Sequence, residues 1–300
     1  MAEPTYSYSV YGLNVESSIP LPELSAGGGK PDVVIRYGLV ATSLQGAIET
    51  GSFYQAAPGS FLLLVEEVAR YLVTDGKQIV IQRESGAVDE EIALFLLGCA
   101  FAPVLQQRGL LPLHCSGIVV QGGCIAFVGH SGIGKSSLAG AFLKRGYPIL
   151  TDDILVISLV SDGTPRAYPG YPQLKLWPDT ISKLGEAQQP LLPISPGIDK
   201  FRRPIREEFY KDALPLKRLY VLGVSDAGEI EVAPMSGSAK IAAIIRNTYH
   251  LGFVKGLGKG PEHFRLCNAL AERLDVRKVT RPSEPYLLEE LANALEADFS

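Results

Sequence analysis

The chain opens on strict alternation. Tyr6-Ser7-Tyr8-Ser9-Val10-Tyr11 sets aromatic or apolar residues against serines until Gly12 interrupts the pattern. That period-2 signal belongs to a half-buried strand. A β-branched run at 33–37 lies between Pro31 and Gly38, and strand-like runs follow at 61–65, 69–73 and 78–82. Asp75-Gly76 separates the last two, and Asp-Gly between apolar runs predicts a tight hairpin. Together these runs predict a small, mainly β N-terminal domain over residues 1–85, with Gly27-Gly28-Gly29 as a flexible loop inside it.

From residue 89 the pattern changes. Residues 89–107 are apolar nearly all round, begin with Asp89, Glu90 and Glu91, and stop before Gly109. Acids in the first turn suit the helix dipole, and all-round apolarity predicts a heavily buried helix. Strands are predicted at 116–120 and 124–128, joined through Gln121-Gly122-Gly123. A glycine loop, a helix at 136–145 stopped by Gly146, a strand at 148–150 and a β-rich run at 154–159 come next. Strand, loop, helix, strand is the order of an α/β core, which places a second domain at 86–300. Residues 168–209 are rich in Pro and charge and predict loops with short helices. Residues 217–224 and 229–233 predict a strand pair around the turn 225–228. Helices are predicted at 239–248, 261–274 and 286–297, and Lys255-Gly256-Leu257-Gly258-Lys259-Gly260 reads as a flexible loop.

Composition narrows the function classes. The net charge of −4 gives no reason to expect nucleic acid or an acidic membrane as partner. The most apolar stretch, 92–105, is too short to span a bilayer and contains Pro103. The N-terminus shows no basic segment followed by an apolar run, so no signal peptide is expected and a soluble, cytoplasmic protein is the default. Cys99, Cys115, Cys124 and Cys267 form no C-x-x-C pair and the histidines no zinc spacing. They predict buried thiols rather than staples or a metal centre.

The chemistry concentrates in one segment. Gly129-His130-Ser131-Gly132-Ile133-Gly134-Lys135-Ser136 matches G-x-x-x-x-G-K-[ST] without a gap, and Ser137 follows. Glycines at those positions let successive backbone N–H groups turn inward as an anion nest, and the following helix aims its dipole at the same phosphates. Lys135 carries a mobile charge to the β- and γ-phosphates, and the Ser136 hydroxyl is an oxygen ligand for Mg²⁺. An apolar strand before the loop and an apolar helix after it supply the required context, so ATP with Mg²⁺ is the expected ligand pair.

Asp152 and Asp153 end the next strand. An acid there commonly binds Mg²⁺, and two adjacent acids can divide metal binding from proton acceptance; a helix cap or a solvated turn is the plainer alternative. His114, just upstream of the hairpin, can hydrogen-bond a phosphate or orient an acid, or be structural. The basic run Lys200, Arg202, Arg203 can close over the site or be a solvated turn, and Lys175 and Trp177 can shape an acceptor pocket or simply pack.

His114 with Ser116-Gly117, then residues 129–136, then Arg145-Gly146-Tyr147 and Asp152-Asp153 resemble, in this order, the catalytic domain of the HPr kinase/phosphorylase family. The resemblance is close over 110–160 and looser beyond. It implies a P-loop kinase domain of the HPr kinase/PEP carboxykinase-like type, and phosphoryl transfer from ATP to a serine hydroxyl of a peptide or protein. It implies Asp152 or Asp153 as base, His114 near the transferred phosphate, and Ser136 with the aspartates as metal ligands. Ser137 stands where the regulatory enzyme carries an acid, and its later glycine- and arginine-rich signature has no clear counterpart. The overall layout is similar to divergent relatives that phosphorylate the C-terminal serine of a lasso precursor peptide, which makes such a peptide the leading acceptor. Oligomers among relatives imply a homo-oligomer. The rival functions are a nucleotide-gated peptide-binding module and a P-loop NTPase that transfers phosphate to water.

Overall fold

A computed structural model describes residues 4–184, 191–194, 199–226, 228–284 and 287–300. Its chain forms two compact units, residues 1–112 with 249–266 and residues 113–248 with 267–300. Both mix strands and helices, so the protein is mixed α/β.

In the first unit a nine-stranded sheet holds every predicted N-terminal strand. Val33–Tyr37 lies parallel to both of its neighbours, Leu13–Ser17 and Gln78–Arg83, and Ser60–Val65, Ala69–Thr74 and Gln78–Arg83 form an antiparallel meander. The Asp75-Gly76 turn has φ of 52° and 64°, the paired left-handed geometry that selects Asp-Gly in a two-residue hairpin. The unit extends past the expected boundary at residue 85 because the apolar helical stretch needs the sheet to cover it. Tyr71 Oη donates to Ile92 O at 3.1 Å, and the Tyr11 and Phe101 rings lie 5.9 Å apart. That stretch is two α-helices, Asp89–Phe95 and Phe101–Gln107, joined by a π-helical segment, Leu96–Ala100, rather than one continuous helix. Residues 255–260, expected as a loop, begin within a short helix, Leu251–Gly256, whose Phe253 ring meets Tyr54 edge-on and lies tilted against Phe61.

The second unit is built on an eight-stranded sheet in which Gly123–Val128 pairs with two strands. Every residue of that strand is buried, as a continuous apolar run requires. It pairs antiparallel with Leu111–Val120 through a turn at Gln121-Gly122 (φ 46° and 71°), and parallel with Leu214–Ser225. Leu214–Ser225 in turn runs parallel to Asp275–Pro282. That last strand departs from the sequence pattern, which reads the C-terminal part as helical. It also corrects the expected strand pair: Glu231–Pro234 does not pair with Leu214–Ser225 but lies antiparallel on the far side of Asp275–Pro282. The Pro-rich region 168–209 contains a three-stranded sheet of Gln173–Leu176, Phe201–Pro204 and Leu192–Pro193, besides the helix Pro178–Lys183. Residues 185–190 and 195–198 of that region, Ala227 of the expected turn and Tyr286 of the expected last helix lie outside the described residues.

The helix Lys135–Lys144 packs its buried face, Leu138, Ala139, Ala141 and Phe142, on the sheet and on the C-terminal helix Leu288–Phe299. Phe142 stacks on Phe127 with ring centroids 5.6 Å apart. Arg145 and Tyr147, just past the helix end, both bond Glu296, at 2.6 and 2.7 Å. The loop before this helix is thereby fixed at both ends, by a central strand and by a buried helix.

Candidate functional site

The loop lies at the carboxyl end of Gly123–Val128 and leads into the helix Lys135–Lys144, whose N-terminal amides can meet an anion. Three glycines have left-handed or similarly restricted φ: Gly129 at 148°, Gly132 at 83° and Gly134 at 108°. A Cβ on Gly129 would also stand 2.9 Å from the Leu222 carbonyl oxygen. Glycine is required there both by φ and by the closeness of the neighbouring strand. Ile133 drops its side chain into the core and anchors the loop from below.

A cavity of about 240 Å³ opens over the loop. Of the residues predicted for the site, Ser131, Gly132, Gly134, Lys135, Ser136, Ser137, His114, Asp152 and Asp153 all line it. His130 is exposed, with Nδ1 2.8 Å from the Ser131 carbonyl, and Gly129 and Ile133 shape the loop from behind. Ser137 Oγ lies 2.8 Å from Thr180 Oγ1, buried against the helix Pro178–Lys183.

Lys135 Nζ donates to the carbonyls of Gly129 (2.9 Å) and His130 (3.2 Å), so the ammonium is curled back over its own loop. Burial holds it below its ordinary pKa, with Cys115, Asp152 and Asp153 pulling the other way. Asp152 is almost fully buried. Its Oδ1 accepts from the hydroxyls of Ser116 (2.6 Å) and Ser136 (2.9 Å), and its Oδ2 from the Lys175 backbone N–H (2.8 Å). All three donors are neutral. A buried carboxylate held by neutral donors beside a serine hydroxyl is an oxygen-rich place for a hard cation.

Asp153 has a different environment. Its Oδ2 accepts from Lys175 Nζ at 2.6 Å, and its Oδ1 lies 3.4 Å from His114 Nδ1. Its backbone carbonyl accepts from Cys115 N–H at 3.1 Å and is 3.0 Å from His114 Nδ1. Burial pushes its carboxyl up, but Lys175, His114 and Lys200 outweigh that and hold it below the usual aspartate range. Burial and then Lys135 lower the His114 imidazole, which favours its neutral form at neutral pH.

Residues the motif did not name complete the wall. Trp177, Asp179 and Thr180 come from the Pro178 helix and its lead-in, Lys200 from the basic run, and Arg281, Ser283 and Glu284 from the end of Asp275–Pro282. Lys200 Nζ sits 5.9 Å from the Trp177 ring centroid, within cation–π range. Arg202 and Arg203 lie in a strand instead, with Arg203 3.7 Å from Glu208. Val276, Val279 and Thr280, interrupted by Arg277 and Lys278, are the weak strand signal that precedes Arg281 between two helical patterns. Among the described residues no group of three or more His, Cys, Asp or Glu side chains is arranged to hold a metal by itself. None of the described helices is long and apolar enough to cross a membrane.

No protein-family model matches this chain. A stretch of 63 residues, 21% of the chain, is 43% identical to the HPr kinase/phosphorylase of Lachnoclostridium phytofermentans and covers 18% of that protein. The chain thus matches about a fifth of the length of this curated relative. Among solved structures, the Hpr(Ser) kinase/phosphatase of Coxiella burnetii aligns with a TM-score of 0.35 at 10% identity, covering 62% of this chain and 89% of that one. The resemblance to the HPr kinase-like family read from the order of the motifs is therefore shared with a curated protein of that name, over about a fifth of this chain.

Proposed function

We propose that this chain is an ATP-dependent kinase that phosphorylates a serine hydroxyl of a peptide or protein, with the second unit as its P-loop kinase domain and the first as the mainly β N-terminal domain. One observation carries the reading. A loop with three glycines at positive φ opens a helix, and around its cavity stand a lysine, a serine–aspartate pair and a second, separately held aspartate.

Residues 131–134 and the helix start receive the polyphosphate through backbone N–H groups. Lys135 leaves its two carbonyl partners for the β- and γ-phosphates, a stronger partner for an ammonium than neutral carbonyls. Ser136 and Asp152 fit Mg²⁺ in the sense argued above, and Asp153 lies next to them; the ion supplies charge neutralisation on the phosphates. In the transfer step the acceptor serine oxygen forms a bond to the γ-phosphorus while the bond to the β,γ-bridging oxygen breaks. ADP leaves, and the serine proton passes to the Asp153 carboxylate, which Lys175 and His114 hold in place. This division gives Asp152 the metal and Asp153 the proton, because only Asp152 shares an oxygen with the Ser136 hydroxyl.

Two acceptors are to be tested. The curated relative's name suggests HPr, and the layout of the sequence suggests the C-terminal serine of a lasso precursor peptide. Incubation with γ-labelled ATP, Mg²⁺ and each acceptor decides among the readings. Label on the serine supports the kinase, free phosphate alone a hydrolase, and neither a binding module. Lys135→Ala is expected to abolish transfer with the circular-dichroism spectrum unchanged; full activity in that variant refutes the scheme.

A further inference from the structure

The phosphate loop contains its own source of error. Gly134, at φ 108° and without a Cβ, offers little resistance on its side to rotation of the peptide that precedes it. Rotating the Ile133–Gly134 peptide would replace an N–H with a carbonyl oxygen on the anion-binding side. In a trans peptide the two groups point in opposite directions, so whatever holds the carbonyl also aims the amide.

Arg281 holds that carbonyl. Its Nη2 donates to Ile133 O at 3.2 Å, while Nη1 donates to Pro282 O at 2.7 Å. The side chain is buried, reaches the loop from a strand distant in sequence, and also lines the cavity. We propose that Arg281 is a positioning residue of the phosphate loop: its guanidinium locks the Ile133–Gly134 peptide so that the Gly134 N–H faces the polyphosphate. This rests on the nucleotide-binding reading above and adds a residue that the loop motif does not contain. The planar fork is what the task needs, since it holds Ile133 O through Nη2 while Nη1 donates to Pro282 O and, at 3.4 Å, to Ser283 O, a fixed geometry that an ammonium on a flexible stem does not supply.

The test uses the full chain with Mg²⁺ and ADP, followed by calorimetry, and the variants Arg281→Lys and Arg281→Met. Both are expected to weaken ADP binding by about tenfold or more, with lysine failing to rescue. The Gly134 amide resonance of the ligand-free protein is expected to shift in both variants. Near-wild-type ADP affinity in Arg281→Lys shows that charge alone suffices and overturns the proposal, as does near-wild-type affinity in Arg281→Met. If the wild-type chain itself binds no ADP, the kinase reading fails. The Gly134 resonance then still decides the lock: a shift in Arg281→Met upholds it and an unmoved resonance overturns it.

Discussion

Asp153 carries a backbone conformation that its side chain opposes. Its φ is 84°, in the region where a Cβ crowds the following carbonyl, and it is held there by bonds to its own carbonyl and by Lys175 on its carboxylate. Asp153→Ala removes the carboxylate and keeps the strain; Asp153→Gly removes both. The glycine variant is therefore expected to be the more stable of the two by about 1 kcal/mol, read as the difference in urea midpoints at equal m-value, and both are expected to lose transfer activity. Equal stability would mean that the turn costs nothing. At this scale the sequence was legible where the cavity wall is contiguous in the chain: Gly132, Gly134, Lys135, Ser136 and the aspartate pair lie within short-range patterns and line the cavity together. Arg281 and Thr180, which also line it, were not legible, because each meets its partner only through folding, Ile133 O for one and Ser137 Oγ for the other.

Elements were legible in proportion to how local their signal is. The strand Ile154–Leu159 and the Asp75-Gly76 hairpin were legible directly, since a continuous apolar, β-rich run and turn chemistry each lie within a few residues. Asp275–Pro282 was missed because its middle, Val-Arg-Lys-Val-Thr, is short, charged and flanked by helices, and only the parallel pairing with Leu214–Ser225 makes it a strand. The same insertion separates two strands that the turn at 225–228 suggested would pair. Between elements, the Arg145, Tyr147 and Glu296 network ties the end of the phosphate-loop helix to the C-terminal helix. The hydrogen bond from Tyr147, then that from Arg145, holds the Glu296 carboxyl below the usual glutamate range. A carboxyl lowered in the folded state contributes stability above its unfolded pKa, and that contribution is lost as pH falls through the folded value. Glu296→Gln is thus expected to cost about 0.5–1 kcal/mol at pH 7, the partial exposure of the group keeping it small, and progressively less than that below pH 4.5. Denaturant titrations of both proteins at pH 7 and pH 3.5 check it; a cost that grows on acidification contradicts the assignment.

At the scale of the whole chain, the second unit is assembled from two separated segments, 113–248 and 267–300, and the cavity draws on both. Lys135, Ser136 and Asp152 come from the first segment; Arg281, Ser283 and Glu284 come from the second. A ligand seated there makes each segment's native position a condition for binding, so its binding free energy becomes stability of the unit as a whole. ADP at 100 times its dissociation constant is expected to add about 2.7 kcal/mol, visible as a rise in melting temperature. Amide exchange is expected to slow in Asp275–Pro282 as well as at the phosphate loop. The metal and lysine roles separate in the same experiment. Asp152→Asn is expected to keep the part of the temperature rise that persists in chelator and to lose the part that Mg²⁺ adds, because the neutral amide offers a divalent ion one weak oxygen in place of a carboxylate. Lys135→Met is expected to lose both parts, since the ammonium meets the phosphates with or without the ion. A Mg²⁺-dependent rise that survives in Asp152→Asn would move the metal to Asp153 and exchange the roles of the two aspartates.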